Sequence, residues 1–273
     1  MSLFETGASS GAVSLRQLFA GQAPAVADPG LSVRDLSALI ARGGWPAEQD
    51  RSLKAASRAA RDYLEQVRQV DLSRVGDRSR DPVRVGTLAA DAGGADGPLD
   101  ARTVTDYLQA LERLMVIEDQ PAWAPHLRSR ARLRKAPKRH FVDSSLALAA
   151  TGASAERLLG DFEWFGQVFE SLVIRDLRVL SQTLGGEVMH YRDDYGIEVD
   201  AIVQLRDGHW GAVEIKLGEG QVDAAATNLK RFAEQIDSER SGSPAFLAVI
   251  CGKGYGYRRS DGVFVVPVGV LGP

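Results

Sequence analysis

"GIEVDAIVQLRDGHWGAVEIK", residues 196–216, decides how the second half of the chain folds. Val199, Ala201 and Val203 alternate with Glu198, Asp200 and Ile202. Further on, Val213, Ile215 and Leu217 alternate with Ala212, Glu214 and Lys216. A period of two is that of a strand, because successive side chains point to opposite faces. Asp207-Gly208 between the two runs is a tight-turn signal, so the strands are expected to pair antiparallel. Alternation then places Asp200 on one face with Glu198 and Ile202, and Glu214 on one face with Lys216. Two acids and a lysine therefore stand inside strands otherwise apolar enough for a core.

The flanking sequence extends the pattern. Strands are predicted near 188–192, 197–205 and 210–217, behind an amphipathic helix "FGQVFESLVIRDLRVLSQTL" (165–184). A helix over 222–237, with Leu229, Phe232, Ala233 and Ile236 inward, and strands at 245–251 and 262–268 complete the half. Helix, three-strand meander, helix and strand predict a mixed sheet with helices packed on it.

The first half reads as helical. Ser32 and Asp35 form a capping box for a helix over 32–42, which Gly43-Gly44 and Pro46 close. A second helix spans 51–70, where Leu53, Ala56, Ala60, Tyr63, Leu64 and Val67 recur at helical spacing. A short helix is expected around "VGTLAADAGG" (85–94). Another follows in 99–115, with Asp100 as N-cap and an apolar stripe of Val104, Tyr107, Leu108, Leu111 and Met115. "VIED" (116–119) then opens an extended stretch to Val142. Three helices followed by strand, turn and strand is the order of a winged helix-turn-helix.

Composition excludes several classes. The 273 residues allow about two domains, and a net charge of -3 excludes a uniformly basic coat for nucleic acid. Cys251 is the only cysteine, which rules out a disulfide within the chain and a thiolate zinc site. His126, His140, His190 and His209 lack ligand-like spacing. No run of about 18 apolar residues and no leader pattern occur, so a cytoplasmic protein without a membrane partner is the reading.

Chemistry concentrates at two places. Asp200 and Glu214, with the Ile215 carbonyl, are the oxygen donors that Mg²⁺ or Mn²⁺ takes, and Lys216 beside them suits contact with an attacking water or a phosphate. The same residues also fit a plain Glu–Lys pair on a solvated face. Residues 121–141 contain no acid, and Arg128, Arg130, Arg132 and Arg134 alternate before Lys135, Lys138 and Arg139. An extended wing of this kind fits phosphate contacts, a docking surface for another domain, or a solvated loop.

Read in order, these segments resemble a known family. Asp200, then Glu214-Ile215-Lys216 after a hairpin, behind a helix carrying Glu170, resembles the PD-(D/E)xK nuclease superfamily, with Val199 at the proline position of its motif. "SLFETGASSGAVSLRQLF", "ARGGWP", "LDARTVTDYLQALERLMVIEDQPAW", "APKRHFVDSSLALAATG", "YRDDYGIEVDAIV" and "AVEIKLG" resemble the C-terminal region of prokaryotic AAA-family ATPases, whose last domain is of unknown function (type 4143). The resemblance implies an α/β protein in which a winged helix-turn-helix segment (48–150) precedes a PD-(D/E)xK nuclease-like mixed sheet flanked by helices (151–273). Residues 1–47 would be a remnant of the ATPase domain. It implies a DNA-binding module with Mg²⁺-dependent phosphodiester hydrolysis at Glu170, Asp200, Glu214 and Lys216, or a non-catalytic targeting module that binds nucleic acid, a protein partner or the ATPase domain. No G-x-x-x-x-G-K-[ST] occurs, so this chain is expected to have no ATP site.

Overall fold

The computed structural model describes residues 1–22, 24–71, 100–125 and 136–273. β1 (Val13–Ser14) leads into α1 (Leu15–Phe19), where Ser14 and Gln17 form a capping box. α2 (Val33–Arg42) starts on the expected Ser32–Asp35 box and stops at Gly43, whose φ of 73° lies in the left-handed region. α3 (Leu53–Gln66) buries Ala56 and Ala60 and runs into a π-helical turn, Val67–Asp71. The helix expected over 85–94 lies outside the described residues.

α4 (Ala101–Arg113) follows Asp100, which occupies the N-cap position without a side-chain cap bond. Val104 is buried, but two residues expected on the apolar stripe are not: Tyr107 is 53% exposed and Met115 74%. Tyr107 lies at the margin of the stripe, and Met115, at φ 52°, has already left helical geometry. β2 (Ile117–Gln120) and β3 (Lys138–Phe141) pair antiparallel, with Gln120 opposite Lys138. α5 (Ser144–Thr151), α6 (Ala155–Leu159) and the long α7 (Phe162–Gln182) come next.

β4 (Glu187–Arg192), β5 (Glu198–Gln204) and β6 (Trp210–Lys216) form the expected antiparallel meander. Gly208 turns the β5–β6 hairpin at φ 93°, where a side chain would be strained. α8 (Val222–Gln235) and α9 (Ser238–Ser241) then cross to β7 (Phe246–Cys251), parallel to β6 as a helical crossover allows. Gly211 lets the Phe246 ring lie against β6, since a Cβ there would come within 2.1 Å of it. β8 (Tyr257–Arg258) and β9 (Phe264–Pro267) complete a six-stranded mixed sheet of order β4-β5-β6-β7-β9-β8, and β10 (Leu271–Gly272) pairs with β1.

Each face of the sheet carries an apolar core. On one, Ala201, Val203, Val213, Ile215 and Ile250 pack with Phe169, Leu172 and Val173 of α7. Leu3, Leu15, Leu18, Leu36 and Ile40 belong to the same cluster, so residues 1–47 share a core with the sheet. On the other face, Val199, Ile202, Ala212 and Val249 pack with Leu229 and Phe232 of α8 and with Trp123 and Trp210. A smaller cluster joins Ala60, Val67, Val116 and Leu146. Among the described residues no helix is long and apolar enough to cross a membrane.

One expectation for the hairpin is overturned. Val199 and Ile202, three residues apart, pack in the same core, whereas strict alternation would put them on opposite faces. Met189 pairs with Ile202 and Tyr191 with Val199, so two steps along β4 match three along β5. β5 therefore carries a bulge at Asp200–Ala201, which lets Asp200 leave the face it would share with Ile202.

Candidate functional site

The β5–β6 ladder ends at Ala201↔Val213, one residue short of Asp200. There the Asp200 carboxylate takes over the role of a strand carbonyl. Its Oδ2 accepts the Ile215 N–H at 2.8 Å and the Lys216 ammonium at 3.0 Å. The bulge thus turns an aspartate into the terminal acceptor of the hairpin while leaving Oδ1 toward the cluster.

Glu214 stands beside it on β6. Lys216 reaches Glu214 Oε2 at 2.6 Å, bridging the two acids, and Asn228 of α8 donates to Glu214 Oε1 at 2.8 Å. The same Asn228 amide donates to the Glu198 carbonyl at 2.7 Å, which ties α8 to the start of β5. From the other side α7 brings Glu170. Lys138 of β3 contacts Glu170 at 3.2 Å, Glu198 at 2.9 Å and Asp200 Oδ1 at 3.6 Å. Four carboxylates thus surround two ammonium groups, and Arg192 approaches Glu198 at 3.9 Å.

A buried polar chain holds this arrangement. Gln120, opposite Lys138 in the β2–β3 pair, donates to the carbonyls of Asp200 (2.9 Å) and Met189 (3.1 Å). Its Oε1 lies 3.1 Å from His140 Nε2, and His140 Nδ1 lies 3.0 Å from Ser171 Oγ on α7. Burial, with help from Arg178 and Lys138, pushes the His140 pKa down to about 4, so His140 acts as a neutral link.

The electrostatics separate the acids. Burial, together with the Asp200 charge, raises Glu214 from 4.5 to about 7, against the opposing pull of Lys216. Burial and Asp200 also raise Glu170. Burial alone would raise Asp200, but Lys216, Lys138 and the Ile215 amide outweigh it and hold Asp200 low. Burial disfavours both ammonium groups, yet the acids around them outweigh it and keep Lys138 and Lys216 charged. Two neighbouring carboxylates in opposite protonation tendencies are a common feature of acid–base and metal sites.

Glu214 therefore predicts a pH dependence. Its folded pKa exceeds its ordinary value, so between pH 4.5 and 7 the folded chain retains a proton that the unfolded chain releases. Stability from this group is complete below that window and is lost as pH rises through about 7. Between pH 4.5 and 7.5, wild type should lose roughly 3 kcal/mol relative to Glu214→Gln, by urea denaturation at each pH. Parallel pH profiles for the two proteins would contradict the assignment.

The sequence candidates fall into three groups. Glu170, Asp200, Glu214 and Lys216 are brought together. Lys138 and Arg139, grouped by sequence with the basic wing, point elsewhere than into one basic face: Lys138 joins the acids, and Arg139 pairs with Asp119 at 3.1 Å. Arg128, Arg130, Arg132, Arg134 and Lys135 lie outside the described residues. Among the described residues no three or more His, Cys, Asp or Glu side chains are arranged to hold a metal ion; ammonium groups engage the carboxylates instead. Sequence reasoning missed Glu198, Gln120, His140 and Asn228. Asn228 carried a signal, standing at helical spacing from the inward Ala225 and Phe232.

Beside the cluster an open groove of about 910 Å³ is lined by Lys138, Arg139, Trp164, Gln167, Glu170 and Arg192 among others.

Comparison with known proteins matches two parts of the chain. Residues 165–271, from α7 through the sheet to β10, match a family described as a domain of unknown function (DUF4143). Residues 82–157 match a second, also described as a domain of unknown function (DUF8612). No curated protein matches the chain, and no solved structure does.

Proposed function

We propose that this protein is a nucleic-acid-binding module whose sheet domain is of the PD-(D/E)xK nuclease type and hydrolyses phosphodiesters with Mg²⁺ or Mn²⁺. The reading rests on Asp200 and Glu214 being held together by Lys216 at 3.0 and 2.6 Å at the open end of the β5–β6 hairpin. The order α7, β4–β5–β6, α8, β7, with Glu170 on the helix and Glu-x-Lys on the last meander strand, supports it. The donor set fits: the acids offer hard oxygen ligands, and four carboxylates against two ammonium groups leave room for a divalent cation's charge.

In this reading Asp200 and Glu214 would hold the cation, which when bound would supply Lewis acidity and a more acidic water. Lys216 lies within reach of both acids and contacts the negative charge that develops on phosphate. Glu214, raised to about 7, would have to be deprotonated to ligate a cation, so cation affinity should rise with pH through neutrality. Asn228 orients Glu214, and Glu170 faces the groove. Arg139, Arg192 and Trp164 in that groove suit a phosphate-bearing chain with bases to pack against. We further read α3, α4 and the β2–β3 pair as a winged-helix segment, with the arginine-rich stretch between its strands as the candidate for phosphate contacts.

The test of the chemistry is metal-dependent cleavage of DNA by the purified protein, with Lys216→Ala as control. Nucleic-acid contact is tested separately. Replacing Arg130 and Arg132 with Ala should weaken duplex binding equally for all sequences, and flatten its log–log salt dependence by roughly one unit for each phosphate no longer neutralised. An unchanged slope would leave the stretch as a docking surface.

One observation favours a second reading. The tight pairing of both lysines with the acids also suits a non-catalytic module in which the cluster holds α7, α8 and the sheet together. Absence of cleavage with intact nucleic-acid binding would select it.

A further inference from the structure

We propose that Lys138 is a tethered cation that a divalent ion must displace, and that it thereby sets the metal affinity of the acidic cluster. The inference rests on the cation-site reading given above.

The two oxygens of Asp200 are not equivalent. Oδ2 accepts both the Ile215 N–H at 2.8 Å and the Lys216 ammonium at 3.0 Å. Oδ1 has the looser partner, the Lys138 ammonium at 3.6 Å. A cation approaching Asp200 thus enters at Oδ1, where Lys138 already faces Glu170 and Glu198 at 3.2 and 2.9 Å. Lys138 comes from β3, within the 82–157 match, whereas the acids belong to the 165–271 match. Its backbone is nonetheless anchored to the site, because Gln120, its partner across the β2–β3 pair, donates to the Asp200 carbonyl. The position is therefore built rather than incidental.

A lysine suits such a role. It is a compact charge on a flexible stem, so it can leave without dragging its strand along. The groove that Lys138 lines offers room for that movement. Once displaced, its ammonium faces the groove, where an anionic ligand would meet it.

Removing one positive charge from among these acids must strengthen the pull on a divalent ion. Mn²⁺ affinity is measured by electron paramagnetic resonance on the full chain, at pH 8, for wild type, Lys138→Met, Lys138→Arg and Asp200→Asn. Lys138→Met should bind about tenfold tighter or more, while Lys138→Arg, which keeps the charge, stays near wild type. Asp200-dependent Mn²⁺ binding in wild type with no tightening in Lys138→Met overturns this inference alone. No Mn²⁺ binding to wild type or to Lys138→Met overturns it together with the cation-site reading. If Lys138→Met does not fold, the ammonium resonance of Lys138, assigned by its loss in Lys138→Arg, is followed by ¹⁵N NMR in wild type. Mg²⁺ saturation should release it into fast solvent exchange, and its persistence overturns the proposal.

Discussion

Asp200→Ala is expected to abolish Mn²⁺ binding and DNA cleavage together, while Lys216→Ala keeps Mn²⁺ binding, tightened by the loss of its positive charge, and still lowers the cleavage rate ~10²–10³-fold. The difference follows from where each group sits. Asp200 offers its carboxylate at the bulge, where Oδ1 has only the looser Lys138 contact, so without it the remaining acids lose their shared focus. Lys216 bridges Asp200 and Glu214 but supplies no oxygen, and its contribution is to charge that appears only during the reaction. Asp200→Ala also leaves the Ile215 N–H without its acceptor, which confuses a loss of function with a loss of fold. Asp200→Asn resolves this, because its amide oxygen still accepts that bond. The Asn variant should melt within a few degrees of wild type and still lose cation binding. Cleavage by Asp200→Asn at the wild-type rate would remove the site from the chemistry.

The second large effect concerns stability. Arg175 of α7 is buried, and donates to Asp143 Oδ2 at 3.0 Å and to Asp176 Oδ1 at 2.8 and 3.0 Å. The two acids in turn anchor distant backbone: Asp143 accepts from the Gly44 N–H at 2.7 Å, and Asp176 from the Leu3 N–H at 2.9 Å. One guanidinium therefore holds the N-terminal segment, the end of α2 and the start of α5 against α7. Arg175→Met should cost about 3–5 kcal/mol in urea unfolding, because it leaves two buried carboxylates without their counter-charge. Burial already raises Asp176 despite Arg175, so the loss should deepen as pH rises and Asp176 is forced to ionise. Adding Asp143→Asn and Asp176→Asn should recover much of it, since the penalty comes from the stranded charges. A loss under 1 kcal/mol would mean that the apolar packing of α7 alone holds the N-terminal segment.

Much of the fold was legible because its signals are local. The Ser32–Asp35 box and the left-handed Gly43 bound α2, the apolar spacing of 165–184 marks α7, and alternation around Asp207-Gly208 marks the β5–β6 hairpin. Asp200, Glu214 and Lys216 could be singled out for the same reason, as polar residues breaking an apolar period. A period is a property of neighbours along the chain, and residues need no partner to show it.

The tertiary structure decided what depends on partners distant in sequence. The bulge at Asp200–Ala201 exists only in the register of β5 against β4, so alternation alone assigned Asp200 to the wrong face. Lys138 looked like one more cation of a basic run, and became part of the acidic cluster because Gln120 and the β2–β3 pair carry it there. Tyr107 and Met115 matched a helical stripe, but Tyr107 stands at its margin and the helix ends before Met115. The acids, finally, differ in their hold on a proton because burial and neighbouring charge act through space. Glu214 rises toward 7 and Asp200 stays low although both are carboxylates in adjoining strands.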